Sequence, residues 1–186
     1  PAMVKALMVN TAKDLNNTEG NTGPIPNKKE GWGLVNLPLI CDPPVSNIHL
    51  DQHSKLTTGE TDEFFVSYND KNHPMKITLT WTDKEAQSGA NPTLINNLNL
   101  EVVGPDGKVY KGNAFDGNND NLSDDGFSFY NTSTMYEFEG DNHDGFDDRN
   151  IVENVFISPS DLKLGLYRIR VIGKNIPTDA TNSGFL

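Results

Sequence analysis

The chain has 186 residues, 35% of them hydrophobic, and its 26 acidic against 15 basic side chains give a net charge of -11. That length can bury one good core with an appendage, and no apolar run reaches the length a membrane-spanning helix needs. The acidic balance repels nucleic acid and anionic membrane surfaces, and the lone cysteine, Cys41, excludes an internal disulfide framework.

In chain order, the first predicted element is a helix. Pro1 stands at a helix-start position, and all residues from Ala2 to Val9 except Lys5 are apolar. A helix apolar on nearly every side is expected to be buried on nearly every side, so it needs covering by the rest of the chain, by a second copy, or by a larger body. Asn16 to Lys29, rich in Asn, Gly and Pro, reads as a surface connection into the apolar run EGWGLVNLPLI.

Pro43 and Pro44 break the pattern, and short alternating segments follow. NIHLDQHSKL reads as a strand and turn. Thr61 to Tyr68 puts Phe64, Val66 and Tyr68 on one face, and Lys76 to Thr82 does the same for Ile77, Leu79 and Trp81. Leu98, Leu100 and Val102 alternate with Asn99, Glu101 and Val103, and Pro105, Asp106 and Gly107 then supply a reversal before Val109 and Tyr110, a hairpin. Val155 with Ile157, and Tyr167 with Ile169 and Val171, mark two later strands. Short strands separated by turns, with no helical pattern after residue 44, predict a mainly β, antiparallel sandwich preceded by one N-terminal helix.

The charge is local. Ten acidic residues and no Lys or Arg lie between Ala114 and Asp148. Within that stretch EGDNHDGFDDRN places Asp141, Asp144, Asp147 and Asp148 among Asn and Gly, the oxygen-rich composition that calcium takes as ligand. The spacing is not that of an EF-hand: with Gly145 at the sixth position, Gly140 falls where an acidic ligand belongs. The competing reading is a solvated acidic loop. Asp83, at the end of one strand, and Asn97 and Asn99 form a second candidate calcium group.

No serine sits in a nucleophile motif, although His49, His53, His73 and His143 are present. His49 and His53 lack the accompanying glutamate of a zinc-hydrolase helix, and surface or packing roles are expected for all four. Trp81 continues an apolar strand face and is expected in the core. Phe127, Phe129, Tyr130 and Tyr136 lie in the polar insertion, where they can anchor a long loop. Asn16, Asn121 and Asn131 begin sequons, which matter only in a secreted eukaryotic chain.

PAMVKALMVNTA followed by EGWGLVNL resembles the last helix and closing strand of the catalytic domain of subtilisin-like serine proteases, whose nucleophile lies in an upstream GTSMA-type segment that this sequence does not contain. KITLTWTD, LINNLNLEVVGPDGKVYKGN, RNIVENVFI, GLYRIRVIGKNIP and SGFL follow in the order seen in the jelly-roll domain appended to secreted alkaline subtilases, which is similar in architecture to the P domain of kexin-like proteases. The resemblance omits Asn16 to Lys29 and Phe115 to Gly140.

It implies that residues 1–43 are left over from an α/β protease domain and that 44–186 form a jelly-roll sandwich. It also implies a secreted parent with endopeptidase activity that this chain alone lacks, and partners that are the catalytic domain of the same polypeptide and the parent's protein substrate. Calcium is the implied cofactor, and related jelly rolls carry LVNDLDL where this chain has Asn97 and Asn99, so a calcium ion there should bind more weakly. The main alternative comes from a different class, a free-standing sandwich that binds carbohydrate or a cell-surface protein; a hydrolase using His49 and a nearby aspartate has only the presence of those residues behind it. The apolar helix is also a candidate surface for self-association.

Overall fold

The computed structural model describes residues 1–15, 24–27, 29–51, 55–115, 127–130 and 145–177. Among these are helices α1 (Ala2–Asn10) and α2 (Leu37–Cys41) and strands β1 (Thr61–Tyr68), β2 (Met75–Thr80), β3 (Asn97–Val103), β4 (Val109–Phe115), β5 (Ser128–Tyr130), β6 (Val152–Ile157) and β7 (Gly165–Asn175). The chain is mainly β, with two antiparallel sheets: one of order β1-β7-β3-β4-β5 and a smaller one pairing β2 with β6.

The core lies between the two sheets. Leu100 and Val102 of β3, Tyr110 of β4 and Tyr167 of β7 meet Val155 and Ile157 of β6, all buried, with Phe64, Val66, Tyr68, Ile77 and Leu79 packed against them. Each fully buried aliphatic or aromatic side chain of this kind contributes about 1.5–3 kcal/mol. Trp81 and Leu98 form a second cluster with Ile176, and the Trp81 indole N–H donates to the Asn96 carbonyl at 2.9 Å. The expected core place of Trp81 is thus observed.

Every residue of β6 is buried. Glu153, Val155 and Ile157 form the face toward the larger sheet, while Phe156 on the opposite face meets Trp32 and Phe115, with ring centroids 6.3 and 5.5 Å away. The edge of β6 away from β2 receives side chains: Asn113 Oδ1 accepts the Asn154 N–H and Ser128 Oγ accepts the Phe156 N–H, each at 2.9 Å. A buried strand edge needs acceptors for its N–H groups, and here side chains supply them.

Helix α1 is only partly buried, contrary to the pattern. It lies along β2, with Thr80 Oγ1 donating to the Ala2 carbonyl at 2.8 Å and Asn10 Nδ2 to Thr78 Oγ1 at 2.9 Å. Ala2 is buried, whereas Val4 and Met8 are 57% and 39% exposed. So the sandwich covers one face of this helix and leaves the other open. The expected closing strand is likewise reduced: Lys13 and Leu34 exchange two hydrogen bonds of 2.8 Å, and α2 then starts at Leu37 with Pro38 in its first turn. NIHL is not a strand, and Ile48 and Leu50 are exposed. The sequons and His53 and His143 lie outside the described residues.

Candidate functional site

Strands β3 and β4 separate partway along their length. Their pairing runs only from Val103 with Val109 to Glu101 with Lys111, after which Asn113 adopts a φ of 57°. Asn is among the few residues that occupy this left-handed region readily. The Asn97–Leu100 half of β3 therefore has no registered partner on β4, and the side chains of Asp148 and Glu153 reach it in the resulting notch. Leu100 N–H, instead of meeting a strand carbonyl, donates to Glu153 Oε2 at 2.5 Å.

Glu153 is fully buried, and its carboxyl is held well above the ordinary carboxylate range. Desolvation is the main cause; the Leu100 N–H opposes it, and the like charges of Asp147 and Asp148 add to it. Gly112 belongs to the same arrangement, because a Cβ at that position would collide with the Glu153 side chain. A glycine on β4 thus makes room for an acid on β6.

Asp148 Oδ1 accepts from Asn97 Nδ2 at 2.6 Å. Asp147, also buried, accepts from Asn113 Nδ2 and Asn150 Nδ2 and from the backbone N–H groups of Arg149 and Asn150, at 2.6–3.1 Å. Asp83 accepts from the N–H groups of Lys84, Ile95 and Asn96 and from Asn96 Nδ2, at 2.7–2.9 Å. Four N–H donors on each of Asp83 and Asp147 give these two carboxylates structural work: Asp83 ties the end of β2 to the entry of β3, and Asp147 closes the loop before β6.

The oxygens left over are different ones. Asn97 Oδ1, Asn99 Oδ1 and Glu153 Oε1 are buried without a hydrogen-bond partner, as is Asn96 Oδ1. An unsatisfied buried polar atom costs about 1–3 kcal/mol. Asn97 and Asn99 lie on the half of β3 that β4 leaves unpaired, and Glu153 reaches the Leu100 N–H of that same half. Neutral amide oxygens beside acidic groups form an all-oxygen donor set, which suits a hard cation such as calcium. Among the described residues no group of three or more His, Cys, Asp or Glu side chains is placed to hold a metal, so a site here depends on the amides. Asp141 and Asp144 lie outside the described residues.

Glu153 is absent from the candidates read from the sequence. Its signal was present: it occupies the same strand face as Val155 and Ile157, where an acid is out of place. The histidines offer no comparable arrangement. His49 is exposed, and His73 Nδ1 lies 2.6 Å from Asp70 Oδ2 on the surface. Backbone N–H donation from Asn72, with the His73 contact second, lowers the Asp70 pKa.

No protein-family model matches the chain. It is similar to a serine protease/ABC transporter B family protein, tagA, of Dictyostelium discoideum, with 29% identity over 184 residues. That match takes in 94% of this chain and 9% of the relative, so the chain spans about a tenth of the protein it resembles. The similarity links this mainly β chain to a protein named as a protease.

Proposed function

We propose that this chain is a noncatalytic C-terminal module of a secreted subtilisin-like serine endopeptidase, a jelly roll that holds calcium in the notch between β3 and β4. The observation that carries the calcium reading is that Asn97 and Asn99, on the unpaired half of β3, and Glu153, bonded to Leu100 there, each hold a partnerless buried oxygen, with Asp148 bonded to Asn97. The protease-named relative supports the parent activity. Residues 1–43 are then the remnant of the protease domain, and the open apolar side of Val4, Met8, Leu34, Val35 and Leu37 is where its body would sit.

Asn97, Asn99, Glu153 and Asp148 would hold the ion, whose positive charge would offset the desolvation of Glu153 and the repulsion from its acidic neighbours. Asp83 and Asp147 would act one step removed, fixing the loops that carry these ligands. The consequence is stiffening of the β3 entry and the β6 entry together. On this reading the exposed His73–Asp70 pair takes no part in hydrolysis.

Melting the chain in excess chelator and in excess calcium tests the metal. A ligand confined to the folded state at about one hundred times its dissociation constant adds roughly 2.7 kcal/mol, and identical melting curves would remove calcium from the proposal. Casein incubated with the purified chain should remain intact; cleavage that a serine-directed inhibitor stops would contradict the noncatalytic role. A row of exposed aromatics, the mark of a sugar-binding sandwich, is not what the described face around β1 presents: Phe65 sits among Glu63, Ser67, Arg168 and Arg170.

A further inference from the structure

β1 is an outer strand of the larger sheet, paired among the described residues with β7 alone. The Gly173 N–H donates to the Glu60 carbonyl at 2.9 Å, and this fixes the alternation along the strand. Even-numbered residues from Asp62 to Tyr68 turn their backbone groups toward β7. Thr61, Glu63, Phe65 and Ser67 turn theirs outward. The outward set also carries an apolar centre, because Phe65 is 59% exposed and Leu166, opposite Ser67, is 57% exposed.

Edge strands are normally guarded by free charge, and here the guard is compromised. Glu63, the one charged residue of the outward set, is engaged by Arg170 Nε at 3.1 Å, with Arg168 Nη1 at 3.9 Å. We propose that β1 pairs antiparallel with β1 of a second copy about a twofold axis at Phe65, joining the two larger sheets edge to edge. This surface is separate from the α1 face and from the β3–β4 notch.

The occupant follows from self-complementarity. Centred at Phe65, the register opposes the two exposed rings, sets Glu63 against Ser67 and Asp62 against Tyr68, and matches outward backbone groups with outward backbone groups. Centring on Glu63 would oppose two carboxylates, and centring on Phe64 would set Phe65 against Glu63. Within Thr61–Tyr68 the Phe65 register opposes no like charges, and it pairs the most exposed aromatic of the strand with itself.

Sedimentation velocity over a concentration series, under reductant because Cys41 is exposed, tests the pairing on the whole chain. A monomer–dimer equilibrium is expected, together with slower amide exchange at Phe65 and Ser67 as concentration rises. F65K places like charges on the axis and S67P removes an outward N–H donor without touching the bonds to β7, so each should abolish the dimer while leaving the circular dichroism unchanged. F65K alters an exposed side chain, so it decides the matter even if S67P folds poorly. A monomer at every concentration, a dimer that survives F65K, or one lost instead in V4K or M8K would overturn the proposal.

Discussion

Glu153 shows how one side chain can set the chemistry of a region. Its unfolded carboxyl titrates near 4.5, while burial raises the folded value well above that. Below the unfolded pKa both states are protonated and nothing is lost. As pH rises beyond it the unfolded chain releases its proton first, so this residue lowers stability progressively toward the folded pKa. In chelator, Glu153→Gln should therefore flatten the fall in melting temperature above about pH 4.5 and raise stability at pH 7 relative to the parent, while erasing the gain from calcium. Thermal melts across pH, with and without calcium, check both signs. A variant that kept the calcium shift would remove Glu153 from the ligand set.

At the scale of elements, alternation made the strands legible. β1 runs over the residues that the pattern marked, Thr61 to Tyr68, because one face is wet and the other packed. β6 was harder, since burial on both faces hides an acid and an amide in an otherwise apolar strand. β5 has three residues and too little sequence for a periodic signal. Of the candidate ligands read from the sequence, Asn97 and Asn99 lie on the half of β3 that β4 leaves unpaired and Asp148 accepts from Asn97, whereas Asp83 and Asp147 serve as loop ties. Glu153 was legible only as an acid on an apolar strand face, because Leu100, the partner that gives it a role, is 53 residues away. Asp83→Ala would free three backbone N–H groups and Asn96 Nδ2. A loss of about 2–3 kcal/mol in urea unfolding is expected, with exchange of the Ile95 and Asn96 amides accelerated.

For the whole molecule, the N-terminal segment is packed onto the β body: Trp32 meets Phe115 at 5.9 Å as well as Phe156, and the Lys76 ammonium lies 4.7 Å from the Phe156 ring centroid. Trp32→Ala should cost about 2 kcal/mol, less than a fully buried tryptophan because Trp32 is half-buried, and should lower a single cooperative melting transition. Two transitions, with only the weaker one moved, would show that residues 1–43 unfold independently. The segment's attachment was invisible in the helix pattern, which specified apolar surface without specifying which side α1 would turn toward β2 and which it would leave open.

The pairing of β1 with β7 also sets a schedule. Thr61 must find Ile172, while the β3–β4 hairpin closes between Val103 and Val109. Loop closure makes the hairpin the early event and the β1 pairing the late one. During synthesis at about 5–20 residues per second, β1 would wait on the order of 5–20 s after emerging before β7 is made. For that interval both edges of an aromatic strand are open, and the nascent chain's exposure to mispairing is set by the ribosome's pace rather than by the stability of the finished sheet.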